Sequence, residues 1–232
     1  MFLYKYISLI LFVCALSRAQ IVQTIIIDFE KTTIKNDEQE YVCGTIHYEY
    51  PDHMCLVIHD PVDQWIFSGI DSMVIYYPED SLAFKFKTLY PVTFPFFQAF
   101  LGIVQEDYGL SSIGYTLIDH TTDDNKLTTT WAPPVNAPAD VGIFLLSYTQ
   151  DKLTNAVYQT QEGDIISQTH YHDHTQYGAY NFPMVIEKYL FTNQDTIQET
   201  IVYTDPQFNC TIPDSLMNFS LPSYVSIEHI VW

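Results

Sequence analysis

The sequence predicts a mainly β fold built around one curved antiparallel sheet. Aromatic and β-branched residues dominate the chain, turn-forming residues interrupt them at short intervals, and strong helix formers are scarce. Several turns are short enough for hairpins, so successive strands should form an antiparallel meander. The expected strands are residues 23–34, 40–49, 54–60, 64–68, 72–77, 82–87, 114–119, 126–131, 141–149, 154–161, 164–172, 183–192, 196–204 and a short last one near 225–231.

The first nineteen residues have the anatomy of an export signal. Lys5 precedes an apolar run over residues 7–16, and small residues flank Arg18 at the cleavage positions. The run is shorter than the roughly 18 apolar residues that a membrane span requires. We therefore expect cleavage after Ala19 and one mature β domain over residues 20–232. Lipid attachment at Cys14 is the open alternative.

The chain is strongly acidic, with 28 acidic against 9 basic residues and a formal net charge of −19. Loss of the signal would remove Lys5 and Arg18 and make the charge more negative still. Such a surface repels nucleic acid and anionic membranes, so no nucleic-acid partner is expected. It would attract a basic partner or metal ions. The alternative is that the negative charge serves solubility alone.

Three cysteines remain after the signal, namely Cys43, Cys55 and Cys210. An exported chain meets an oxidising compartment, which favours one disulfide and leaves one thiol over. Cys43 and Cys55 flank an expected hairpin and are candidates for neighbours, although pairing depends on the geometry of the fold.

One segment, residues 93–105, departs from the β pattern. Thr93 suits a helix N-cap and Pro95 a first helical turn. The segment is apolar nearly all round, so a helix there must be buried on most sides, and the concave face of the sheet is the natural place. It is either an ordinary core helix or a lid over a lipid-sized cavity. Its candidate lipid-contacting residues are Phe94, Phe96, Phe97, Phe100, Leu101 and Val104.

A histidine cluster is the most distinctive polar feature. His170, His172 and His174 should project to one face of a strand, about 7 Å from one to the next. Imidazoles at that spacing can bind zinc or copper, but polar neighbours favour a solvent-facing strand. The sequence has no phosphate loop, G-x-S-x-G or H-E-x-x-H motif. We therefore expect no enzyme activity, no resident metal and no cofactor.

Several short motifs follow one another in a distinctive order. Phe29-Glu30-Lys31 precedes a glycine-led strand that begins at Gly44 and ends in a proline turn, and the segment from Trp65 to Pro78 comes next. Downstream motifs include Phe182-Pro183, Tyr203-Thr-Asp205, Asn209 and the segment from Phe219 to Pro222. In this order the chain resembles the LolA family of periplasmic lipoprotein carriers.

The resemblance implies an incomplete β-barrel with one or two short helices over its concave face. It implies a periplasmic, cofactor-free carrier, expected to be a monomer, which binds lipoprotein acyl chains or another lipid and carries it to the outer membrane. An inner-membrane donor and an outer-membrane acceptor would be its partners. Since each buried methylene contributes about 0.8 kcal/mol, acyl chains need such a shell to cross water. Residues 93–105 fall where the family has its lid helix.

Two features differ from the family pattern. Only residues 20–23 precede the first strand, where carriers have a helix, and Tyr50 stands where carriers have an arginine that holds the lid. Tyrosine donates one hydrogen bond where a guanidinium donates five. Tyr50, Trp65 and Tyr76 are expected at the cavity wall or in contact with the lid, with plain packing as the simpler interpretation. A non-transporting envelope interaction or sensor module and a glycolipid-binding paralogue are the alternative functions.

Overall fold

The computed structural model describes residues 22–50, 53–68, 72–87, 107, 109–138, 141–177, 180–192 and 195–230. Its fourteen strands confirm the predicted mainly β fold and match the expected strands one for one. The strands are β1 (Thr24–Lys35), β2 (Glu38–Glu49), β3 (His53–Asp60), β4 (Gln64–Ser68), β5 (Ser72–Tyr77), β6 (Leu82–Lys87), β7 (Thr116–Asp123), β8 (Lys126–Ala132), β9 (Ile143–Thr149), β10 (Lys152–Gln159), β11 (Ile165–Tyr177), β12 (Tyr180–Phe191), β13 (Thr196–Phe208) and β14 (Ser226–Ile230).

Tight turns set the register of the hairpins. Asn36 and Asp37 join β1 to β2, and both have positive φ angles, 50° and 65°. Two consecutive residues in the left-handed region form the primed turn whose twist matches that of paired strands, and Asn and Asp tolerate it well. Gln150 and Asp151 repeat this geometry between β9 and β10, with φ angles of 51° and 59°.

All fourteen strands form one curved, unclosed sheet. Strands β1–β6 form one antiparallel meander and β7–β13 a second, and the pairing of β1 with β13 joins them. β14 departs from the expected all-antiparallel arrangement, because it pairs with β6 in parallel and forms one edge of the sheet. β7 forms the other edge.

The sheet has one strongly buried face, which we call the inner face and define by Ile25, Ile27 and Phe29 of β1. The strand register continues this face onto Ile46 of β2 and Ile201 of β13. Their exposed fractions lie between 0 and 4%. The opposite side is the outer face. Other buried members of the inner-face core are Tyr48, Leu56, Ile58, Met73, Phe144, Leu146, Ala156, Tyr171, Phe182, Ile186 and Tyr203.

Helical structure is scarce in the residues described. A single 3-10 turn spans Ser111–Ile113, and a four-residue helix, α1 (Asp214–Met217), lies near β3. None of the helices described is long and apolar enough to cross a bilayer. The expected helix at residues 93–105 and the expected signal at residues 1–19 lie outside the described residues.

The expected disulfide is absent among the described cysteines. Cys43, Cys55 and Cys210 are all free thiols. The register of β2 with β3 explains why Cys43 and Cys55 do not meet, since it places Cys43 opposite Asp60 and Cys55 opposite His47. The two cysteines are therefore in different cross-strand pairs.

Candidate functional site

The inner face forms a continuous apolar floor. Four of its side chains are fully buried, although they come from four different strands: Ile27, Ile46, Leu146 and Ile186. Alternation places them on the same face of the sheet, because every second side chain of a strand points to the same side. Such a face presents hydrocarbon side chains, which is the chemistry that an acyl chain would match.

Residues 109–115 cover part of the inner face. Leu110 is fully buried in its core, and the side chain of Tyr115 lies against Phe144 with ring centroids 5.4 Å apart. The Tyr115 hydroxyl donates to the Gly142 carbonyl oxygen at 3.2 Å, and the Gly142 N–H donates to the Tyr158 hydroxyl at 2.8 Å. Burial, reinforced by Tyr158, raises the pKa of Tyr115, so its phenol stays neutral and donates this hydrogen bond.

A charged cluster lies at one end of the inner face. Lys31 follows Ile25, Ile27 and Phe29 in the alternation of β1, and its Nζ lies 2.7 Å from Oε1 of Glu199 on β13. Lys188 of β12 is the direct cross-strand partner of Glu199. We call Lys31 and Lys188 the inner lysine pair. Glu199 is the carboxylate that lies between them.

This cluster was missed by sequence reasoning. Lys188 and Glu187 interrupt an otherwise apolar strand, and Lys31 continues the apolar alternation of β1; these were the available signals. The residues are far apart along the chain, and only the register of β1, β13 and β12 brings them together.

The sequence-predicted lipid-contacting residues fall outside the described residues; they are Phe94, Phe96, Phe97, Phe100, Leu101 and Val104. Tyr50 is described. It is half exposed at the end of β2, where its N–H donates to the Gln23 carbonyl oxygen at 2.7 Å. That bond extends the β1–β2 ladder by one step.

Trp65 and Tyr76, expected at the cavity wall or in contact with the lid, lie on the face opposite the inner-face core. They form a cross-strand pair on the outer face, because their neighbours Ile66 and Ile75 occupy the inner face. The C-terminal segment covers them there, with Phe219 at 5.4 Å from Trp65 and 5.6 Å from Tyr76 between ring centroids. They therefore fix the C-terminal segment to the sheet.

A small cavity of about 160 Å³ lies beside this aromatic cluster on the outer face. Phe67 and Val74 of the sheet line it, together with Leu216, Met217 and Phe219 from α1 and the segment after it. It is too small for a whole acyl chain, since ligand pockets for drug-sized molecules measure roughly 300–1,000 Å³.

His170 and His172 of β11 share the outer face, and Asp173, with a φ of 51°, interrupts the regular alternation before His174. The rings of His170 and His172 stack with centroids 6.1 Å apart, and His172 Nε2 lies 3.3 Å from Glu187 Oε2. His174 Nε2 instead lies 2.8 Å from the Leu153 carbonyl oxygen, so it is engaged by the backbone of β10. Across the part of the chain that the structure describes, no three His, Cys, Asp or Glu residues are placed to hold a metal ion.

Comparison with solved structures identifies several proteins of the same architecture. A LolA superfamily protein from Nitrosomonas europaea matches 84% of this chain and 90% of its own, with a TM-score of 0.62 and 12% identity. A DUF1329 family protein from Desulfovibrio piger matches 87% and 92%, with a TM-score of 0.64 and 10% identity. A domain named for outer membrane lipoprotein sorting, from Vibrio parahaemolyticus, matches 84% and 89%, with a TM-score of 0.61 and 11% identity.

No family profile and no curated protein matches the sequence. At these identities, the likeness is one of fold. The chain therefore has the fold of LolA superfamily proteins.

Proposed function

We propose that this protein is an exported, non-catalytic carrier that binds acyl chains of lipoproteins or other lipids against the inner face of its sheet. The observation that carries the proposal is the apolar inner face, which runs across the sheet from β5 to β9 without a break in the strand order. A water-soluble protein needs such a surface shielded, and hydrocarbon is the ligand class that matches it.

We also propose a cellular location for the protein and a route for the lipid that it carries. The expected export signal over residues 1–19 would place the mature chain in the periplasm, where its role would be transfer of lipid from an inner-membrane donor to an outer-membrane acceptor. The fold shared with a lipoprotein-sorting domain supports this role. The predicted lid residues, Phe97 among them, would shield the bound chains.

Uptake of a fluorescent fatty acyl probe by the purified protein tests the proposal. We expect saturable binding with an emission increase, because the probe leaves water for an apolar surface. Phe97→Asp should abolish uptake, since it introduces a charge where the chain would lie. Val135→Asp is the matched control, because Val135 is fully exposed in a loop and should leave binding unchanged. Failure of the unmodified protein to bind any acyl probe would end the proposal.

An envelope interaction module of the same fold is a second candidate. The edge strand β7 favours it, since every one of its residues is exposed, including Ile118 at 60%. An open edge offers its backbone groups to an added strand from a partner. A protein that bound an extended peptide at β7 but no acyl probe would be of this second type.

A further inference from the structure

The inner lysine pair is an unusual placement of positive charge in this chain. The sequence carries 28 acidic residues, yet two of its few lysines lie together on the inner face with one carboxylate between them. Glu199 forms its short ion pair with Lys31, with 23% and 17% of the two side chains exposed. The three groups together carry a net charge of +1 at neutral pH.

Lys188 is the member of the pair whose charge is least compensated. It is half buried, and burial lowers its pKa; the Lys31 ammonium lowers it further, and Glu199 alone acts in the opposite direction. Among the described residues Glu199 is the carboxylate beside Lys188, and it is already bonded to Lys31, so the Lys188 ammonium can accept a further anionic partner. Glu40, further along the same face toward the β1–β2 turn, is solvent-exposed.

The surroundings of the pair are apolar on one side. Ile201 is the cross-strand partner of Lys31 and is 4% exposed, and Ile186 precedes Lys188 on the same face of β12 and is fully buried. The apolar floor thus ends at two ammonium groups. A molecule with a hydrocarbon tail and an anionic end would match both parts at once.

We propose that the inner lysine pair binds the anionic head group, a carboxylate or a phosphate, of the lipid whose chain lies on the inner face. This inference rests on the proposed carrier function and specifies its ligand. Lys188 supplies the free ammonium, and Lys31, held by Glu199, supplies the second. The acidic exterior keeps the protein off anionic membranes, while the cationic end of the floor selects single anionic lipid molecules released into solution.

Competition against a fluorescent acyl probe tests this assignment with three ligands of one chain length: oleate, oleyl phosphate and oleyl alcohol. We expect the two anions to bind at least about tenfold more tightly than the alcohol, because a charge-assisted hydrogen bond in a partly desolvated site is worth that much. The ratio of the affinities for oleate and oleyl phosphate shows whether the ligand is a fatty acid or a phosphate-bearing lipid.

Lys188→Met removes the free ammonium and keeps the length of the side chain. It should reduce the preference for anions to within about twofold and leave the affinity for oleyl alcohol unchanged. Lys85→Met is the matched control, because Lys85 lies exposed on the outer face of β6 and its loss should change neither affinity. Lys188→Met relieves the burial of a charge, so it should not unfold the protein.

The outcomes separate the two proposals. Equal binding of oleate, oleyl phosphate and oleyl alcohol would overturn the head-group site and leave the carrier function standing. An anion preference that survives Lys188→Met in the folded protein would also overturn it. Absence of binding by all three ligands would overturn the carrier function and this inference together.

Discussion

The ring of Phe219 stacks on the ring of Phe67 of β4, with centroids 4.5 Å apart and planes within 5° of parallel. The chain leaves β13 and then crosses the outer face, where this contact holds it. It continues into β14, which pairs with β6. Phe219→Ala should lower the free energy of unfolding by about 2 kcal/mol, because it removes a partly buried ring and its stacking. Urea denaturation followed by circular dichroism measures this.

The neighbouring residue Ser220 provides the control for that variant. It is exposed, and Ser220→Ala should change the stability by less than about 0.5 kcal/mol. Equal stabilities of Phe219→Ala and Ser220→Ala would show that the C-terminal segment does not pack on the outer face.

Gly44 allows β2 and β3 to approach each other closely. A Cβ built on Gly44 would lie 2.2 Å from the Val57 carbonyl oxygen, a distance that forces the strands apart. Gly44→Ala should therefore cost about 3 kcal/mol of stability by overpacking. Gly163→Ala should cost only about 1 kcal/mol, because no atom lies within 4 Å and only its φ of +98° opposes a side chain. Thermal or urea unfolding of the two variants shows which loses more stability. A larger loss in Gly163→Ala than in Gly44→Ala would contradict the β2–β3 register.

The buried His47 and the partly buried His174 predict a loss of stability in mild acid. Burial lowers the pKa of His47, outweighing its hydrogen bond to the Cys55 backbone and the charge of Asp28, and burial also lowers the pKa of His174. The contribution of each neutral histidine to the free energy of unfolding is fully present above pH 6.5, the pKa of histidine in the unfolded chain. As the pH falls below that value the unfolded chain takes up protons that the folded chain does not, so the free energy of unfolding decreases.

Urea midpoints at about pH 7.5 and about pH 5.5 measure this loss. His47→Phe keeps a ring of similar size but removes the titrating group, so its loss between the two pH values should be smaller than that of the unmodified protein. An identical loss in both proteins would show that His47 is not buried in its neutral form.

The cysteines should differ in reactivity. Cys55 is 1% exposed, and burial raises the pKa of its thiol to about 12, whereas Cys43 and Cys210 are both partly exposed. The thiolate is the reactive form, so native protein should label rapidly at Cys43 and Cys210 and slowly at Cys55. Mass spectrometry after iodoacetamide treatment, in the presence and absence of urea, measures this. Rapid native labelling of Cys55, or a disulfide between any two of the three, would contradict the structure.

The strands could be predicted from sequence because their signals are local. Alternating β-branched and aromatic residues, bounded by turn pairs such as Asn36-Asp37, specify each strand without reference to the rest of the chain. The parallel pairing of β14 could not be predicted in this way, because it depends on the path of the chain across the outer face.

The assignment of faces required the register between strands. β4 and β5 carry bulky residues on both sides, so periodicity alone does not show that Ile66 and Ile75 face inward and that Trp65 and Tyr76 face outward. The inner lysine pair was unpredictable for the same reason, since charges on separate strands reveal their contact only through pairing.

Binding of hydrocarbon to the inner face can be followed by fluorescence, because the two described tryptophans lie on opposite faces of the sheet. Trp131 of β8 packs in the inner-face core, whereas Trp65 lies in the outer aromatic cluster. Titration with fatty acids brominated at successive positions along the chain, in protein with Trp232→Phe, should give saturable quenching of tryptophan emission. The quenching should persist in Trp65→Phe and disappear in Trp131→Phe. Quenching that disappears only in Trp65→Phe, or no saturable quenching at any bromine position, would show that hydrocarbon does not bind the inner face.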